Sequence, residues 1–92
     1  MAAKWSPKDP NDIADYWFDW SDFLPEDENI TTATVTVPVG LTGVAQDFTD
    51  KVVRVRLSGG TLGKYDVDCL IDTDSGQQFE ITKTLEVKER AA

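Results

Sequence analysis

The sequence predicts an all-β fold, a small antiparallel β-sandwich, and three observations carry that expectation. Tyr65, Val67, Cys69 and Ile71 alternate with Lys64, Asp66, Asp68 and Leu70, the period-two signature of a half-buried strand. Residues 30–37 and 51–57 are rich in β-branched side chains and alternate in the same way. Gly63-Lys64-Tyr65-Asp66-Val67 matches the tyrosine corner of immunoglobulin-like sandwiches, with Val67 where antibody domains place a cysteine. The expected fold is therefore an immunoglobulin-like or fibronectin-III-like sandwich. Residues 1–9 form an extended N-terminal arm, and residues 10–90 a single sandwich domain.

The arm shows no periodicity around its lone aromatic, Trp5. An indole is costly to leave in water, so Trp5 docks either on its own domain or in a neighbouring subunit. In residues 13–24 two patterns compete. A strand puts Tyr16, Phe18 and Trp20 on one face and Asp15, Trp17 and Asp19 on the other; a helix groups Ile13, Trp17, Trp20 and Leu24. Aromatic density favours a strand over 16–20, followed by a short helical turn that Ser21 or Asp22 can cap. Trp17 then points away from the core between two aspartates, which makes it a candidate contact residue.

An acidic loop, residues 25–29, precedes the strand 30–37. There Ala33, Val35 and Val37 face inward and a threonine row faces out, either as β filler or as an edge open to another chain. Residues 38–50 read as a long loop holding at most one short strand, with Leu41, Val44 and Phe48 capping the core. In the strand 51–57, Val53, Val55 and Leu57 face inward. Arg54 and Arg56 face out as the one concentration of positive charge, expected to pair across strands with Asp66 and Asp68. Residues 72–76 make a hairpin turn into a last strand over 78–88. Lys83 interrupts the apolar face of that strand, which suggests that it bulges or runs past its sheet edge.

Composition narrows the function. At 92 residues the chain is one domain, and a domain of that size buries only about 60–65% of its extended surface. The net charge is −8, and residues 9–50 contain no Lys or Arg. No basic stripe exists for a nucleic acid. The acidic half serves solubility or complements a basic partner. No apolar run approaches the roughly 20 residues of a membrane span. The first residues lack the apolar core of a secretory signal, so synthesis in the cytoplasm is expected. There is no histidine and a single cysteine, Cys69, on an apolar strand face. It reads as a small buried hydrophobe rather than a nucleophile or zinc ligand. Asp72-x-Asp74-Ser75-Gly76 superficially resembles the start of a calcium loop. Its glycine comes one position early, and Lys83 occupies the place of the bidentate glutamate. Residues 58–61 are too short for a phosphate loop, and no carboxylate pair lies in an evident cleft. The expectation is a non-enzyme without metal or cofactor. The candidate protein-interface residues are Trp5, Trp17, Asp15, Asp19, Arg54 and Arg56.

Four ordered segments carry a resemblance that covers nearly the whole chain. The first is Lys8-Asp9-Pro10-Asn11-x-x-x-Asp15-Tyr16-x-x-Asp19-Trp20-Ser21. The second is Ile30-Thr31-Thr32-Ala33-Thr34-Val35-Thr36-Val37-Pro38-x-Gly40-Leu41. The third is Val55-x-Leu57-Ser58-Gly59-Gly60-Thr61-x-Gly63-x-Tyr65-x-Val67, and the last Leu85-x-Val87-Lys88-Glu89-Arg90. Together they resemble a family of small tailed-bacteriophage virion proteins of the fiber–tail adaptor type. The resemblance implies an immunoglobulin-like domain in the neck or tail of the virion, made in the bacterial cytoplasm. It would bind portal, connector or tail-ring proteins and help attach tail fibers, in several copies around the virion axis. This sequence departs from the pattern in its Asp residues on the outer face of the Tyr65 strand and in the bulk of Trp17 and Phe18. Two rival roles suit the same scaffold: a host-surface glycan-adhesion module using Trp17 and the 72–76 turn, and a capsid decoration protein.

Overall fold

A computed structural model describes residues 3–89. Seven strands form: β1 (Ala3–Lys4), β2 (Ala14–Asp19), β3 (Ile30–Thr36), β4 (Leu41–Phe48), β5 (Val52–Gly59), β6 (Gly63–Thr73) and β7 (Gln78–Val87). They build two facing sheets, one ordered β1-β7-β6-β3 and the other β2-β5-β4. All pairings are antiparallel except β1 on β7. The described residues contain no helix long and apolar enough to cross a membrane.

The inward faces follow the alternation in the sequence. Phe18, Val53, Val55 and Leu57 of one sheet meet Val67, Cys69, Ile71, Leu85 and Val87 of the other, each 1% exposed or less. At about 1.5–3 kcal/mol for each large apolar side chain taken from water, this layer is the main force holding the sheets face to face. Tyr16, Trp20, Leu24, Ile30 and Leu41 close its ends. The tyrosine corner forms as expected. Tyr65 Oη donates to the Thr61 carbonyl (3.0 Å) and accepts the Thr61 N–H (3.1 Å). Its ring lies so close to Gly40 that a Cβ there would come within 2.8 Å of a ring carbon, and Gly40 holds a φ of +107°. Glycine is therefore required where the β3–β4 turn crosses the ring.

Several local expectations change. Within residues 38–50 the strand is a full eight residues, β4, longer than the short strand expected inside a loop. Of the three proposed capping residues only Leu41 is buried; Val44 and Phe48 stay exposed. β4 is an edge strand held by backbone pairing to β5, so it needs no apolar alternation. A register shift between Gly43 and Ala45 bulges Val44 out of the ladder. Lys83 causes no bulge: β7 pairs with β6 without interruption through Lys83↔Val67. Its side chain enters the sandwich and snorkels, with Nζ 3.1 Å from the Trp17 carbonyl oxygen and 5.7 Å from the ring centroids of Trp5 and Phe18. The turn after β2 does form: the Phe23 and Leu24 amides donate to the Trp20 carbonyl at 3.0 and 2.9 Å. Its cap is Asp19, whose Oδ1 accepts the Ser21 amide at 2.9 Å, in place of Ser21 or Asp22.

Three polar staples were not visible in the pattern. Lys8 is fully buried, and its Nζ donates to the carbonyls of Gly59 (2.6 Å) and Asp9 (2.9 Å). Lys51 Nζ donates to the carbonyls of Pro25 (2.7 Å), Glu26 (3.1 Å) and Glu28, drawing the acidic loop round one ammonium. The buried Glu28 carboxylate accepts the hydroxyls of Thr73 (2.5 Å) and Ser75 (2.6 Å), which ties that loop to the β6–β7 hairpin.

Candidate functional site

The outer face of the β2-β5-β4 sheet collects most of the candidate interface residues, because the register aligns them. Asp15 lies opposite Arg56, Trp17 opposite Arg54, and Asp47 of β4 opposite Arg54 on the other side. Arg54 grips Asp47 with two bonds, Nε to Oδ1 at 2.9 Å and Nη2 to Oδ2 at 2.8 Å, and reaches Asp15 Oδ1 with Nη1 at 2.9 Å. Arg56 holds the same Asp15 through Nε (2.8 Å) and Nη2 (3.2 Å). The result is a continuous ladder, Asp47–Arg54–Asp15–Arg56, in which planar guanidinium forks match carboxylate geometry.

These partners correct the expected pairing of the arginines with Asp66 and Asp68. β5 sits between β2 and β4, and β6 lies in the opposite sheet, so the outward Asp66 and Asp68 are on the far face from the outward arginines. Asp66 and Asp68 instead accept the hydroxyls of Thr84 (2.9 Å) and Thr82 (2.5 Å) across the β6–β7 ladder. Asp47 is the site residue that sequence reasoning misses, because its wet edge strand shows no alternation. Its parity with Ala45 along a strand is the signal that would have aligned it with Arg54.

The ladder's electrostatics follow from its bonds. The Arg56 hydrogen bond, with the charge of Arg54 beside it, holds the Asp15 carboxyl below the ordinary carboxylate range. The Arg54 bonds do the same for Asp47, and Arg54 is pushed up in return. Asp19 is lowered by bonds from Ser21, so its carboxylate serves the turn as well as the surface.

Trp17 and Trp5 occupy different environments. The Trp17 side chain is 51% exposed beside Arg54, while its carbonyl accepts both Trp5 Nε1 (2.9 Å) and Lys83 Nζ (3.1 Å). Of the two destinations open to Trp5, the structure shows its own domain. The indole packs edge-on against Phe18 at 4.9 Å between centroids and tilted against Tyr16 at 5.1 Å. Trp5 thus supports the β2 backbone from beneath while Trp17 projects from it.

The other chemical candidates are committed to internal bonds. Asp72 accepts from Thr32 (2.6 Å) and Gln78 (2.8 Å), and Asp74 from the Asn29 amide (3.2 Å). Trp17 and the 72–76 turn belong to opposite sheets. No group of three or more metal-ligating side chains occurs among the described residues. Cys69 is fully buried. Burial away from water dominates and pushes the thiol up to about 11.

Fold and site together define an immunoglobulin-like sandwich whose β2-β5-β4 outer face carries an exposed indole and a self-paired charge ladder. A family model described as "Podophage GP4 fiber-tail adaptor protein gp77" matches residues 8–86, and the chain belongs to that family. No curated protein matches it in sequence. Among solved structures, part of an endo-fucoidan hydrolase from glycoside hydrolase family 107 is similar, with a TM-score of 0.71 at 13% identity over 98% of this chain. This chain spans only 13% of that enzyme's length. The PKD domain from the KIAA 1837 protein is similar with a TM-score of 0.58 at 18% identity, covering 94% of this chain and 83% of that domain. At such identities both likenesses show the fold alone.

Proposed function

We propose that this chain is a non-enzymatic structural component of a tailed-bacteriophage virion. It acts in the neck or tail region, binds connector or tail-ring proteins and helps attach the fibers. The observation that carries this reading is the adaptor-family match across residues 8–86. The molecule suits the role physically. A short antiparallel sandwich with two polar staples, Lys8 and Lys51, is a stiff spacer, and a net charge of −8 complements a basic ring surface. Trp17, flanked by Asp15 and Asp19 and backed by Arg54 and Arg56, forms the contact surface, with Trp5 holding β2 in place behind it. Several copies are arranged around the virion axis, where assembly adds to the stability of a small domain.

Particle assembly with a labelled chain tests the proposal. The label is expected at the neck or tail, and particles lacking the chain are expected to lose fibers. A Trp17→Ala variant should incorporate at least tenfold less well while keeping a folded circular-dichroism spectrum, the scale of a loss of about 1.4 kcal/mol or more at a central aromatic. Label on the shell facets, or fibered particles without the chain, would overturn it.

A further inference from the structure

The described residues close the side of the sandwich between β2 and β7 along only part of its length. Over residues 83–88 the arm fills it. Ala3 and Lys4 register with Lys83 and Thr84. The Trp5 amide donates to the Thr84 carbonyl (3.1 Å), the Lys8 amide to the Glu86 carbonyl (2.9 Å), and the Lys88 amide to the Lys8 carbonyl (2.9 Å). Trp5 seats its indole between the sheets on Tyr16 and Phe18. Over residues 78–82, no described strand pairs with this edge of β7. The even-numbered residues of β7 turn their backbone groups toward the arm, so by strand alternation the Glu80 N–H and C=O face the open edge.

Beside that edge lies a cleft lined by Asp19, Trp20, Phe23, Phe79, Glu80 and Ile81. Phe23 is 58% exposed and stands edge-on to Phe79 (4.8 Å) and Trp20 (5.7 Å). No basic side chain lines the cleft; Asp19 and Glu80 do, and the exposed Asp22 adjoins Phe23.

We propose that this open stretch is a strand-addition groove for an extended segment of another virion protein. The segment carries a large apolar side chain flanked by lysine or arginine. The arm shows what such an occupant does: backbone bonds to β7 hold it, and one large side chain fills the gap between the sheets. An edge that no described strand pairs, beside an apolar cleft, gives the two components of strand-addition binding, main-chain affinity and side-chain specificity. Charge decides between occupants. Another copy of a chain with net charge −8 would bring like charge to an acidic rim, whereas a basic segment is attracted to it. The source of the segment rests on the adaptor reading; the chemistry of the groove does not.

The test is titration of the full, nitrogen-15-labelled chain with a synthetic heptapeptide alternating lysine and valine around a central phenylalanine. Saturable amide shifts confined to residues 78–82 and 19–24 are expected. Phe23→Ser and Glu80→Pro should each weaken binding at least tenfold with the remaining spectrum intact, and a peptide with glutamate in place of lysine should not bind. Absence of saturable shifts along 78–82, or equal binding by wild type and both variants, overturns the proposal. Concentration-dependent shifts of the same amides without peptide would make a second copy the occupant. Binding seen only after removal of Met1 and Ala2 would make the chain's own terminus the occupant. Either result also overturns it. All these signals come from the isolated chain, so their failure leaves the adaptor reading standing, and failed incorporation into particles leaves the peptide result standing.

Discussion

The two sheets satisfy their outward carboxylates in opposite ways. On the β2-β5-β4 sheet, Asp15 and Asp47 are bound by the guanidiniums of Arg54 and Arg56. On the β1-β7-β6-β3 sheet, Asp66, Asp68 and Asp72 are bound by the neutral donors Thr84, Thr82, Thr32 and Gln78. A hydroxyl stabilises a carboxylate geometrically and leaves its charge in place; a guanidinium cancels it. One face of this sandwich is therefore nearly neutral and presents Trp17, while the other keeps carboxylates that no bonded cation neutralises. A protein that meets different neighbours on different sides gains from such asymmetry, because each face repels the wrong partner.

The comparison can be broken most severely at the residue that joins the two sheets. Lys8 is backbone-bonded to β7, and its ammonium reaches the Gly59 carbonyl at the end of β5. Lys8→Met keeps the volume and removes the donor, leaving a buried carbonyl unpaired. The expected loss is about 1–3 kcal/mol in denaturant unfolding. A loss below about 0.5 kcal/mol would show that the sheets do not depend on this staple.

A middle-sized effect belongs to the charged ladder. Asp15 and Asp47 have folded pKa values below their ordinary one, so their bonds stabilise the fold above the unfolded carboxylate range and lose that contribution as pH falls through the lower, folded values. Glu28 and Asp72, lowered by hydroxyl and amide donors, add to the same trend. Melting temperature should be flat between about pH 7 and 5 and fall below about pH 4. Arg54→Ala should lower the neutral-pH value by a few degrees and flatten the acid limb. An unchanged acid limb would mean that the hydroxyl-bound carboxylates of the other sheet carry the acid response.

The smallest effect sharpens the contrast. Thr82→Val removes the hydroxyl that Asp68 accepts but adds a better strand former, so stability should change by about 0.5 kcal/mol or less. A loss approaching that of Arg54→Ala at matched pH would erase the distinction between the two faces.

Much of this architecture was legible because burial imposes a period. Val53, Val55 and Leu57 in β5 and Val67, Cys69 and Ile71 in β6 must alternate to present one apolar face, and they do. β4 escaped because an edge strand with both faces wet has no burial constraint to write into its residues. Lys8 and Glu28 escaped because a charged side chain reads as surface until its carbonyl or hydroxyl partners are known. Phe23 follows the aromatic strand in sequence, yet the single turn capped by Asp19 delivers its ring to the surface, 58% exposed.

Local rules decided which residues form the half-buried strands, which face of each is apolar and where the tyrosine corner turns, because periodicity and glycine conformations act within a few residues. Which strand lies beside which was settled only by the folded whole. Arg54 finds Asp15 and Asp47 rather than Asp66, and Trp5 finds Phe18, since neighbours in a sandwich are chosen by the packing of two sheets and not by distance along the chain.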